Sequence, residues 1–66
     1  MVAVQSSNLS AVGYGGGTLT ITFHSGGVYE YYGVPYWEYS GILHAASHGK
    51  YFHAHIKNHY RFRRVS

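Results

Sequence analysis

The chain has no cysteine, no aspartate, one proline and only two acidic residues among 66. Without cysteine it has no disulfide and no thiolate metal ligand, and its core must hold by packing alone, as fits a reducing intracellular compartment. No apolar run approaches the roughly 20 residues of a membrane span. Met1 is followed by V-A-V-Q-S-S, with neither a basic stretch nor an apolar one behind it, so no secretory signal is expected. These absences point to a cytoplasmic protein.

What the chain has instead is aromatic mass. Eight tyrosines, three phenylalanines and one tryptophan supply large buried areas per residue, of about 150–250 Å² each. That is how so short a chain can make a core when a domain of this size buries only about 60% of its unfolded surface. The length allows a single domain over residues 1–66.

Strand signals dominate the first half. Leu19, Ile21 and Phe23 alternate with Thr18, Thr20 and Thr22, the period of a half-buried strand. Ser25-Gly26-Gly27 is a short glycine-containing turn, and Val28 to Gly33 is the return strand. Leu9 to Tyr14 is a third strand, set off by the break Gly15-Gly16-Gly17. Turns this short join antiparallel neighbours. Tyr29 and Tyr31 share one face and are expected to join Leu19, Ile21 and Phe23 in the core. Tyr14, Tyr32, Tyr36 and Trp37 are then the better candidates for exposed stacking groups.

Pro35 marks the change to helical spacing. Tyr39, Ile42, Leu43 and Ala46 form a stripe along a helix over residues 36–46. Gly41 weakens that helix by roughly 1 kcal/mol relative to alanine, and either allows close backbone approach or is merely tolerated. Ser47 reads as the N-cap of a second helix, running to about His59 with Phe52 and Ile56 facing inward. Residues 1–5 and 62–66 carry no clear pattern and are expected to be flexible. The fold class expected is α+β, a three-stranded antiparallel β-meander followed by two short helices packed on one face.

The six histidines raise the question of a metal. His44 and His48, and His55 and His59, are spaced i, i+4, which can place two imidazoles on one ion. No cysteine or aspartate completes either pair, and the break at Ser47 separates the first pair. The reading adopted is exposed helix residues, with no metal and no cofactor. Nothing matches a nucleophile elbow or a dyad, and the glycine triplet lacks the lysine and following helix of a phosphate loop. No enzymatic activity is expected.

Charge is the strongest binding signal. Both acids lie in the first 49 residues, and all five cations, Lys50, Lys57, Arg61, Arg63 and Arg64, lie in the last 17. In K-N-H-Y-R-F-R-R the cations alternate with Tyr60 and Phe62, a mixture suited to phosphates and unpaired bases. If the second helix continues, Lys57, Arg61 and Arg64 share a face, with Lys50 one further heptad back. The plainer alternative is a solvated helix end whose cations complement the helix dipole.

Taken together, S-S-N-L-S-A-V-G-Y at 6–14, L-T-I-T-F-H-S-G-G-V-Y-E-Y at 19–31, G-V-P at 33–35 and A-A-S-H-G-K-Y-F at 45–52 resemble the KTSC domain. That short domain is found at the C-terminus of some lysyl-tRNA synthetases and as stand-alone bacterial or phage proteins. Tyr29 and Tyr31 match its Y-x-Y motif, and Ser47, Gly49, Tyr51 and Phe52 its S-x-G-x-Y-F segment. His53 departs from the asparagine usual after Y-F. Met1 and the short length suggest the stand-alone form. The resemblance brings no established activity and no catalytic residues to carry over, and the synthetase association suggests RNA as partner. The expectation is thus a small non-enzymatic module binding tRNA-like or structured RNA through Lys50, Lys57, Tyr60, Arg61, Arg63 and Arg64. The alternative is a protein–protein module or homodimer using Tyr36, Trp37 and a free sheet edge.

Overall fold

The computed structural model describes all residues, 1–66. The chain forms β1 (Val2–Ala3), β2 (Leu9–Gly15), β3 (Thr18–Phe23), β4 (Val28–Tyr31), α1 (Tyr36–His44), α2 (His48–Tyr51), a π-helical segment (Phe52–Ile56) and β5 (Phe62–Arg64). The class is α+β, but the sheet has five antiparallel strands in sequential order rather than the three expected. The two additional strands are the chain's ends. β1 pairs with β2 and β5 with β4. The C-terminal pairing continues outside the strand: Val28 donates to the carbonyl of Ser66 and Val65 to that of Val28. The segment read as a flexible basic tail is thus an edge strand.

Local chemistry explains the register. Gly16 and Gly17 form the two-residue loop between β2 and β3, both with positive φ (56° and 79°). That is the pair of left-handed residues a tight hairpin demands, and side chains there would be strained. Val12 then lies opposite Ile21, and Leu19 and Ile21 opposite Tyr31 and Tyr29. A register shift between Leu9 and Ala11 returns Leu9 to the face that carries Val12. The threonines of β3 fall on the opposite face.

The core comprises Leu9, Val12, Leu19, Ile21, Tyr31, Val34, Ile42, Phe52 and Ile56. Its sheet members come from one face only, and the helical segments lie against that face. α1 follows Pro35 as its N-cap, one position earlier in the cap numbering than expected. Ser47 caps α2, its hydroxyl accepting from the Lys50 amide at 3.2 Å. The helical run widens into the π form at Phe52, which places Phe52 and Ile56 in the core as the spacing predicted. It stops at Ile56 and not near His59: Lys57 turns extended and Asn58 adopts φ 67°. Asparagine tolerates that conformation better than most residues. No helix is long and apolar enough to cross a membrane.

Candidate nucleic-acid interface

Between the sheet and the π-helical segment lies an open cleft of about 620 Å³. Its apolar wall is aromatic: Phe23, Tyr29, Tyr31, Phe52 and Phe62, with Leu9 at the base. Register puts these rings together. Tyr29 and Tyr31 alternate with Glu30 on β4, and Phe62 pairs directly with Tyr31 across the β4–β5 ladder. The Phe62 and Tyr31 rings stack at 5.5 Å with 30° between planes, and Phe62 meets Tyr29 at 6.0 Å. Phe52 packs edge-on to Tyr31 and Phe23 at 5.6 and 5.4 Å.

These rings are not equally buried. Phe62 is 57% exposed, whereas Tyr31 is 5% exposed. The Tyr31 hydroxyl has no partner in the protein, yet no fully buried side-chain oxygen lacks one. Its oxygen therefore reaches solvent within the cleft. Burial, and then the neighbouring Tyr29, raise the Tyr31 pKa, so the hydroxyl stays protonated at neutral pH and can donate. Tyr31 thus belongs to the core by its ring and to the cleft by its hydroxyl, while Tyr29 packs half-buried against that core.

The polar rim consists of Ser7, Asn8, His24, Ser25, His53, Lys57 and Asn58. No carboxylate lines the cleft. Arg64 stands over the Tyr29 ring at 5.9 Å, with its Nε donating to the Ser66 carbonyl. Gly27 is buried against this arrangement: a Cβ there would come within 2.9 Å of the Tyr29 ring and 3.7 Å of the Arg64 guanidinium carbon.

The structure divides the cations expected to act together. Lys57 and Arg64 belong to the cleft side. Arg63 lies opposite Glu30 on the threonine face of the sheet, and Arg61 lies with it beside Tyr32. Lys50 stands beyond His53, in a separate polar hollow shared with Ser6, Asn8 and Ser47. The common helical face for Lys57, Arg61 and Arg64 does not form, because the helix ends before Lys57 and Arg64 is in a strand.

Tyr60 is not a free stacking group. Its hydroxyl donates to Glu38 Oε2 at 2.9 Å, while Tyr51 donates to Oε1 at 2.6 Å. Glu38 is 3% exposed, and His55 Nδ1 approaches Oε1 at 3.9 Å. This buried carboxylate ties α1, α2 and the segment after the π-helix together. Burial first, and then the hydrogen bond to Glu38, push Tyr51 up to about 12 and raise Tyr60 in the same direction. Sequence reasoning missed Glu38. Its signal was position: it stands four residues before Ile42, on the inward stripe of α1.

The histidines are separately engaged. His44 Nδ1 donates to the Ser40 carbonyl, His48 Nδ1 to that of Ile42, and His24 Nε2 to that of Ser6. His55 stacks on Tyr51 at 4.2 Å. No three histidine or acidic side chains converge.

Comparison with known proteins places these residues in context. The KTSC domain family model matches residues 5–60. A lysine–tRNA ligase from Nostoc sp. is 41% identical over 49 residues, and one from Trichormus variabilis is 43% identical over the same length. Each match covers 74% of this chain but 9% of the ligase, so the chain spans under a tenth of those relatives. A crystal structure of a KTSC domain protein from Yersinia pestis superimposes with a TM-score of 0.92 at 32% identity, covering 97% of this chain and 93% of that one.

Proposed function

The chain belongs to the KTSC domain family, and from that premise we propose that it is a non-enzymatic RNA-binding module whose contact surface is the aromatic cleft with its rim of Lys57 and Arg64. The observation that carries this reading is one concave site without a carboxylate that joins the exposed Phe62 ring and the half-buried Tyr29 ring to Lys57, with Arg64 standing beside it over Tyr29. Rings offer stacking to unpaired bases, and lysine and arginine neutralise phosphates. Two relatives named as lysine–tRNA ligases share the domain, which makes a tRNA or tRNA-like RNA the natural first probe. Lys50 extends the basic rim past His53. Arg61 and Arg63 face the other side of the sheet and add to the general attraction without contacting the same RNA segment.

The test is a salt titration of tRNA binding by the full chain. Affinity should fall as salt rises, because phosphate contacts release counterions. Reversing Lys57 and Arg64 together to glutamate should weaken binding more than reversing Arg61 and Arg63. Affinity insensitive to salt, or equal losses from the two double variants, would count against the cleft.

A second reading rests on a different observation. Tyr36 and Trp37 at the start of α1 are 64% and 63% exposed, and Tyr36 packs with Tyr14 and Tyr39 in an aromatic patch. Such a patch suits a protein partner. Sedimentation of the free chain at two concentrations distinguishes self-association through it from RNA binding elsewhere.

A further inference from the structure

Resting on the RNA-binding reading of the same cleft, we propose that the cleft seats a single unpaired base, so that the protein recognises single-stranded or looped RNA and rejects duplex. Three features converge. The site is concave and ringed, whereas duplex bases are stacked inside a helix and present no free face to a recess. Phe62 and Tyr29 supply ring surface at the mouth. The Tyr31 hydroxyl, on a side chain 5% exposed, opens into the cleft without a protein partner. A tyrosine hydroxyl that reaches solvent with no partner in the protein can exchange water for a hydrogen bond to a ligand.

The stated arrangement gives each group a task. The base stacks on Phe62 and Tyr29. Tyr31 meets a nitrogen or oxygen on the base edge, and Asn58 stands at the rim with a donor and an acceptor. The flanking phosphates reach Lys57 and Arg64. The cations attract any RNA; the rings and the Tyr31 hydroxyl distinguish a presented base from none.

The experiment compares an RNA oligomer of about eight nucleotides, its abasic counterpart and a duplex of the same length. Binding is followed by fluorescence anisotropy with the full chain. The single strand should bind about tenfold or more tighter than either the abasic strand or the duplex, in line with the usual strength of stacking on an aromatic side chain. Phe62→Ala, at an exposed position, should erase most of that difference. Tyr31→Phe, which keeps the ring, should weaken binding of the single strand about fivefold and leave the abasic strand unchanged. Equal binding of single strand, abasic strand and duplex, with salt dependence intact, overturns the base pocket and leaves the RNA-binding reading standing. Failure of every RNA, tRNA included, to bind overturns both.

Discussion

Alanine at Gly41 should destabilise this protein, although the same change inside an exposed helix ordinarily stabilises by about 1 kcal/mol. The reason is local. A Cβ at position 41 would collide with the Tyr51 hydroxyl and lie 2.7 Å from its Cζ and 3.0 Å from its Cε2. The ring cannot swing away freely, since it stacks on His55 at 4.2 Å and its hydroxyl is 2.6 Å from Glu38 Oε1. Restoring ordinary van der Waals distances moves the hydroxyl out of hydrogen-bond range. A hydrogen bond to a charged group contributes about 1.5–3 kcal/mol. Subtracting the gain of about 1 kcal/mol in helix propensity leaves a net loss of about 0.5–2 kcal/mol. In a Tyr51→Leu background the collision is gone, and Gly41→Ala should stabilise by about 1 kcal/mol. Urea unfolding of the four proteins of this cycle measures both numbers. With a slope of about 1 kcal/mol per molar urea, the midpoint should fall by about 0.5–2 M in the first background and rise by about 1 M in the second. A rise in both would refute the claim that Gly41 is there to admit Tyr51.

Alkaline titration should reveal the same network. Tyr51 is raised in the folded state from 10.0 to about 12, so its contribution is intact below pH 10 and lost as pH rises from there through about 12. Tyr51→Phe should flatten the fall in urea midpoint across that window, with Tyr60 leaving a smaller slope of the same sign. Ile56→Ala, at a fully buried position, should cost about 2–5 kcal/mol in the same assay. Ser47→Ala should cost about 1 kcal/mol, because the Lys50 amide loses its side-chain partner. Gly27→Ala should reorient the Tyr29 ring and reduce affinity for single-stranded RNA while changing thermal stability little; the two readouts together separate a cleft effect from unfolding.

The sheet face was legible in the sequence because alternation is strict where one face is buried. Thr18 to Phe23 and Val28 to Tyr31 carry that pattern. Ser47 was legible as a cap, and Phe52 and Ile56 as the inward pair. β1 and β5 were not, for a physical reason. Val2, Ala3, Phe62, Arg63 and Arg64 are all exposed, so burial imposed no period on them, and strands of two and three residues leave too little length for one to show. The end of the second helix lacked a glycine or proline to mark it. Asn58 was the available sign, since asparagine is among the few residues that enter the left-handed region readily. That one misplacement changed the candidate site: a helix continued past His59 aligns Lys57, Arg61 and Arg64, whereas a turn at Asn58 followed by a strand sends Arg63 and Arg64 to opposite faces. The aromatic cleft was out of reach until Phe62 was known to pair with Tyr31.

The central claim is that RNA enters the aromatic cleft and not the opposite face of the sheet. The most direct measurement is a residue-by-residue map of backbone amide chemical-shift changes as single-stranded RNA is added to the folded chain. The largest changes are expected on Tyr29, Tyr31, Phe52, His53, Asn58 and Phe62, with Thr18, Thr20 and Thr22 nearly still. Changes centred on the threonine face with Arg61 and Arg63, or on Tyr36 and Trp37, would contradict it.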